Sequence, residues 1–205
     1  ILLTHAHIGH YSGLMYLGRE ALGANKIPVY TMPRMKFFLE NNDPWSQLVS
    51  INNVSLKEIE NNQKIQLSEN LKVIPFYVPH RDEFSETVGY KIIGTNKSAL
   101  FIPDIDKWDL WEKSIIDEVK SVDYAFLDAT FFSGDEINRS MKEIPHPFVL
   151  KTMDIFMDEE LSTKNKIHFI HFNHTNPLLN KKNNLRDSVL KLGFNFAKFG
   201  NKYNL

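Results

Sequence analysis

The stretch from Leu2 to Leu14, Leu-Leu-Thr-His-Ala-His-Ile-Gly-His-Tyr-Ser-Gly-Leu, constrains this chain more than any other. Three histidines, His5, His7 and His10, fall within six residues. The apolar pair Leu2 and Leu3 predicts the end of a buried strand. If the backbone stays extended through Ala6, His5 and His7 project to one side, because side chains alternate along a strand. From Tyr11 the period changes. Leu14, Leu17, Ala21 and Leu22 predict one face of a helix, with Gly23 as its C-terminal stop. His10 then sits on the turn that opens the helix. Neutral imidazole is the commonest metal ligand among side chains, and three at this spacing can converge on one small volume.

Composition limits what else the chain can do. The 205 residues suffice for one domain with a sizeable core. A net charge of -1 supplies no global field for nucleic acid or an anionic membrane. The chain has no cysteine, which excludes disulfides and thiolate ligands and leaves imidazole and carboxylate for any metal. No apolar run approaches membrane-spanning length. The compartment is left open by these features.

Along the chain, strands are expected at Ile27–Thr31, Val54–Leu56, Lys64–Leu67 and Leu71–Val78. Thr87–Ile93 and Ser98–Ile102 form a hairpin pattern around Thr95-Asn96-Lys97. Further strands are expected at Tyr124–Leu127, Ile167–Phe172 and Phe194–Phe199. Helices are expected from Pro33 through Leu39, over Trp45–Val49, over Trp108–Val119, from Pro147 to Met157 and over Leu185–Leu192. Asn41-Asn42-Asp43-Pro44 breaks the second helix. No linker divides residues 1–205, so a single α/β domain is expected: two sheets face to face with helices outside.

Several polar residues fall where such elements end. His80 follows Pro79 at the end of an expected strand, as a ligand or in a surface turn. Asp104 follows Ser98–Pro103, as a ligand or a turn carboxylate. Asp106 and Asp109 are the better N-cap candidates for the helix that follows. His171 lies at the end of the strand from Ile167. His168, three residues earlier, points to the opposite face and is read as structural. His174 either faces the site or caps its turn. Asp128 ends the strand in "LDATFF", and His146 in "IPHPF" precedes a helix. Asp128 either holds a loop or partners a proton carrier, and His146 is a cap or that carrier.

The first motif resembles the His-x-His-x-Asp-His signature of the metallo-β-lactamase fold superfamily, with Gly9 in the aspartate's place. "VPHRDEFSETVGY", "FIPDIDKW", "LDATFF" and "IHFNHTNP" resemble, within that superfamily, the coenzyme PQQ synthesis protein B branch. The resemblance covers nearly the whole chain and implies an αββα sandwich. In the family, strands precede the first motif, so the numbered chain is expected to lack its N-terminal strands. The resemblance implies a first ion on His5, His7 and His80, with Asp104 at its edge, and a second on His10, Asp104 and His171. It also implies, from the tRNase Z branch, that Asp128 and His146 assist leaving-group protonation.

Two departures matter. Gly9 removes an oxygen ligand of the second ion, which predicts one tightly held ion and a weaker second. The PQQ synthesis protein B branch carries Asp and Gln at the first two motif positions, whereas this chain keeps both histidines, a set closer to a hydrolase. The sequence therefore points to a metal-dependent hydrolase acting through an activated water on a small-molecule or peptide substrate. The bond is left open: ester, lactone, phosphodiester or amide. Zn2+ is the expected cofactor, with Fe or Mn compatible with the carboxylates. Rival readings are an iron-dependent oxygenase of the PQQ-biosynthesis type and a non-catalytic module that keeps a metal for structure.

Overall fold

A computed structural model describes residues 1–137 and 144–205. These divide into two compact units. One comprises Ile1–Ile65, Ile74–Tyr77 and Arg81–Val88; the other comprises Gln66–Val73, Val78–His80 and Gly89–Leu205.

The first unit opens on an extended segment in which Leu2 bridges Tyr30. A short helix α1 (Ile8–Tyr11) follows and tightens into a 3-10 helix over Ser12–Leu17. The sequence predicts one longer helix with Leu14, Leu17, Ala21 and Leu22 on its buried face. Only Leu14 of these is buried, and Leu22 is 72% exposed. The chain turns out after Leu17, with Gly23 at φ +54° and its N–H donating to the Gly18 carbonyl at 2.8 Å. Gly23 is therefore not the helix stop the sequence predicts: the 3-10 helix ends at Leu17 with Gly18 as its C-cap, and Gly23 closes the turn that follows on a backbone conformation that glycine adopts freely.

Strand β1 (Ile27–Thr31) pairs in parallel with β2 (Val54–Glu58). Between them α2 (Pro33–Asn41) starts on Pro33, whose missing N–H costs nothing in a first turn, and α3 (Trp45–Ser50) follows the Asn41–Pro44 break. Met35 and Leu39 of α2, Leu48 of α3, and Val29 and Val54 of the strands close a core with Leu3, Ala6, Tyr11 and Leu14. The Tyr11 ring meets Trp45 and Phe38 edge-on at 5.0 and 5.3 Å. The histidine segment is therefore anchored on both sides by buried side chains.

The remaining strands are β3 (Ile65–Ser68), β4 (Leu71–Tyr77), β5 (Val88–Ile93), β6 (Ser98–Ile102), β7 (Tyr124–Asp128), β8 (Ile167–Ile170) and β9 (Asn195–Phe196). They hydrogen-bond in sequence order into a seven-stranded sheet. β5 and β6 form the expected antiparallel hairpin; β6, β7, β8 and β9 then run parallel. Parallel neighbours need crossovers, which α4 (Ile115–Lys120), α5 (Val149–Ile155) with α6 (Leu161–Lys164), and α7 (Asn184–Lys191) supply. Leu100, Ala125 and Ile167 stand side by side in register, as do Ile102, Leu127 and Phe169, and all six are fully buried. This register sets the C-terminal ends of β6, β7 and β8 along one sheet edge, where α/β sheets commonly place their chemistry.

Five expectations need correction. Trp108–Val119 is not one helix: a 3-10 turn spans Trp108–Leu110, and α4 starts only at Ile115, where the Ser114 side chain accepts from the Asp117 N–H. Neither Asp106 nor Asp109 caps it. The apolar period runs on because Trp108 and Trp111 are both buried from backbone that is not α-helical. Helix α5 begins at Val149, two residues after Pro147, and α6 was not anticipated. The strand to Phe172 ends at Ile170, because His171 turns to φ +62°. The last strand shrinks to Asn195–Phe196. No helix among the described residues is long and apolar enough to cross a membrane.

His168 lies within β8 among aromatic side chains. It stacks on Phe126, its register partner, at 5.4 Å, and lies 5.2 Å from the Tyr203 ring. Burial holds its pKa below the ordinary imidazole value of about 6.5 by penalising the imidazolium. The folded state binds this proton less well than the unfolded chain, so stability is complete above pH 6.5 and is lost as pH falls through the folded pKa. His168→Phe is expected to flatten the loss of stability below pH 6.5. Chemical denaturation at pH 7.5 and 5.5 checks this; an unchanged slope would remove His168 as its source.

Candidate metal and proton-transfer centre

In the first unit the histidines come together as the sequence predicts. The extended backbone through Ala6 turns His5 and His7 toward each other, with His5 Nε2 and His7 Nδ1 2.9 Å apart. The His10 ring, on α1, lies 4.2 Å from that of His5. His5 is buried and His7 partly exposed. The Ala6 N–H donates to Ser85 Oγ at 2.7 Å and the Val88 N–H to the Thr4 carbonyl at 3.1 Å, which fix the segment on both sides of His5.

Glu83 completes this group and was missed from sequence. Its Oε2 accepts from His7 Nε2 at 3.1 Å. Hydrogen bonds from its own backbone N–H and from His7 hold the Glu83 carboxyl below the usual range, so it is an anion at neutral pH. A carboxylate on one ring nitrogen leaves the other, His7 Nδ1, as the lone-pair atom. The signal was present: Glu83 and Ser85 lie inside "VPHRDEFSETVGY", whose only residue singled out was His80.

In the second unit, the aligned ends of β6, β7 and β8 deliver Asp104, Asp128 and His171, and the loop before α5 adds His146. Asp104 and Asp128 are 2% and 0% exposed, so each carboxylate needs partners to stay charged. Asp128 has them. Its Oδ2 accepts from His146 Nδ1 at 2.8 Å and from the Ile105 N–H at 3.2 Å; its Oδ1 accepts from the Thr130 N–H at 2.9 Å and hydroxyl at 2.7 Å. Asp104 Oδ1 lies 3.3 Å from His146 Nδ1, and its Oδ2 lies 3.5 Å from His171 Nε2. The His80 ring is 5.3 Å from that of His146.

The network assigns the tautomers. Thr130 has one hydroxyl proton, which goes to the Asp128 carboxylate. His171 Nδ1, 2.8 Å from Thr130 Oγ1, must then be the donor in that contact. This leaves Nε2, the atom facing Asp104, as the lone-pair nitrogen of His171. By the same logic Asp128 takes the Nδ1 proton of His146 and leaves His146 Nε2 for exchange. Thr130 follows Asp128 in "LDATFF" and was not singled out from sequence. His171 also holds a positive φ that non-glycine residues rarely adopt, and such residues cluster at functional sites.

The donor set suits a metal. His80, Asp104 and His146, and likewise Asp128, His146 and His171, each offer ligand atoms that lie within 4.8 Å of one another. Imidazole with carboxylate and no thiolate is the chemistry of zinc, iron or manganese. His174 is exposed on a turn, and Asn176 caps the 3-10 helix that follows by accepting from the Leu178 N–H.

Comparison with known proteins gives this geometry a family. Residues 1–182 match the family model described as the beta-lactamase superfamily domain. Among solved structures, Zn2+-bound PqqB from Methylobacterium extorquens is similar at 22% identity and a TM-score of 0.76, over 100% of this chain and 70% of that one. A diphosphatase of the PhnP family is similar at 19% identity and a TM-score of 0.64, over 100% and 70%. YhfI from Bacillus subtilis, a metallo-β-lactamase fold protein, is similar at 14% identity and a TM-score of 0.63, over 96% and 74%. No curated protein matches the sequence. With the family model matching most of its length, the histidine motif at its start and the carboxylate–imidazole cluster at the ends of its parallel strands, the chain belongs to the metallo-β-lactamase superfamily.

Proposed function

We propose that the protein is a metal-dependent hydrolase, most simply a zinc enzyme, that cleaves an ester, lactone, amide or phosphodiester. The observation that carries this reading is the buried Asp128–His146 pair at 2.8 Å, set beside Asp104 and His171. A buried carboxylate against one imidazole nitrogen makes the other a proton carrier, and beside a ligand cluster such a carrier serves leaving-group departure.

The proposed ligands are His5, His7 and His80 for one ion, with Asp104 at its edge, and His10, Asp104 and His171 for a second. The family signature in the sequence and the tautomers of His7 and His171 support this set. A bound divalent cation supplies a water of pKa near 7 and a Lewis acid for the scissile group. The chain's own residues do the rest. Glu83 and Thr130 fix the ligand tautomers. Asp128 stabilises the charged form of His146 as it gives its Nε2 proton to the departing atom.

The test is elemental analysis of protein purified without chelator, followed by hydrolysis assays on the four bond classes with and without chelation. Expected are bound zinc and a hydrolysis that chelation abolishes and added zinc restores. Oxygen consumption with bound iron and no hydrolysis would sink the reading in favour of an oxygenase.

Gly9 tests the ion count. It lies on α1, a Cβ there meets nothing within 4 Å, and its φ is outside the left-handed region. An aspartate therefore enters without backbone strain. Titration of apo-protein with zinc is expected to show one tight and one weak equivalent in the natural chain, and two tight equivalents in Gly9→Asp. Two equally tight equivalents in the natural chain would show that the missing oxygen ligand is immaterial.

A further inference from the structure

A cavity of about 420 Å³ in the second unit borders His146. Its apolar walls are Trp108, Pro147, Phe148 and Ile155. The Trp108 indole N–H donates to Thr152 Oγ1 of α5 at 2.9 Å, so the largest wall is locked in place. A preformed slot of this size and lining suits a small apolar ligand. Its rim carries two lysines, Lys107 and Lys151, and two aspartates, Asp109 and Asp154. Lys107 is further engaged by Asp106 at 2.8 Å. The charges cancel, so the rim offers no concentrated field for a polyanion.

We propose that this cavity is the leaving-group subsite, and that the group it receives is an uncharged planar apolar one: an aryl or similar alcohol or amine. The inference rests on the assignment of His146 as the proton donor. The proton goes to the atom that departs, so a cavity bordering the donor holds what departs. A balanced, apolar slot rejects nucleotide and other polyphosphate leaving groups, because their charges would lose water without gaining cations. The substrate is then an aryl-type ester, amide or mono-anionic phosphodiester. The step balances: water adds to the acyl or phosphoryl centre and releases a proton to solvent, the bond to the aryl oxygen or nitrogen breaks, that atom leaves with the His146 proton, and solvent returns a proton to His146.

The test uses 1-naphthol, a neutral planar product mimic, and reads binding directly. Naphthol titrated into protein carrying labelled isoleucine methyls is expected to shift the Ile155 methyl, with an affinity that changes less than twofold between low and high salt. For the two Ile155 variants, which lack the reporting methyl, binding is read by isothermal titration calorimetry; Ile155→Trp, which fills the slot, is expected to weaken it at least tenfold while far-UV circular dichroism is retained. Ile155→Ala, smaller and certain to leave the slot open, keeps the Trp108 and Phe148 walls and is expected to bind within tenfold of the natural chain. Absence of any Ile155 shift, or a tighter, strongly salt-dependent binding of 1-naphthyl phosphate than of naphthol at the same methyl, overturns the subsite. These results are independent of turnover. Naphthol binding without hydrolysis would leave an aryl-binding cavity but end both the hydrolase reading and the leaving-group role; hydrolysis without naphthol binding would end the subsite alone.

Discussion

His7→Ala protein is expected to emerge from purification almost free of metal and without hydrolytic activity. His7 Nδ1 faces His5 Nε2 at 2.9 Å while Glu83 holds the opposite nitrogen at 3.1 Å, so the ring is oriented for donation before any ion arrives. Disturbing a residue that merely orients a ligand costs roughly 10–100-fold in metal affinity, and loss of the ligand itself costs more. The chain has no cysteine to substitute for it. His80→Ala is expected to act in the same direction. Metal content measured by elemental analysis decides the matter. Unchanged content in both variants would end the proposed assignment of the first ion, whatever happens to activity.

His146→Ala is expected to lower turnover on substrates with poor leaving groups by roughly a hundredfold or more, the scale of general acid catalysis. Substrates with activated leaving groups need little protonation and are expected to lose far less. Asp128→Asn is expected to follow the same split. It retains a group of the same shape but removes the anion that accepts from His146, Thr130 and the Ile105 N–H. The split between substrates is the diagnostic, measured as kcat/KM against leaving-group pKa. Parallel losses on both substrate classes, with metal content intact, would assign the pair a structural role.

How these residues came to be legible differs from case to case. The histidine motif declared itself because ligands close in sequence need only local backbone to converge: an extended step brings His5 and His7 together, and one turn brings His10. Strands β1 and β6 ended where expected, since a short apolar run bounded by polar residues leaves little choice. Asp104, Asp128 and His171 were each recognisable as residues at strand ends. That the three share one sheet edge was not, because their sequence separations are set by crossovers of unrelated length. The parallel register of β6, β7 and β8 decided it.

The same division holds in finer detail. Glu83 and Thr130 carry no pattern of their own; an acidic residue in a loop and a threonine after a strand are ordinary. Their meaning is a hydrogen bond to one named nitrogen, His7 Nε2 or His171 Nδ1. The helix expected over Trp108–Val119 failed for a related reason. Apolar spacing reports which side chains are buried, and Trp108 and Trp111 are buried. Spacing does not report the backbone path, which here is fixed by the bond from Trp108 to Thr152 and by the cap at Ser114. The sequence by itself determined the chemistry available: imidazole and carboxylate, no thiolate, and a local three-histidine cluster. Tertiary structure alone decided which proton sits on which nitrogen and that Asp128 and His146, 18 residues apart, form a pair, because both depend on distances between side chains that only the folded backbone sets.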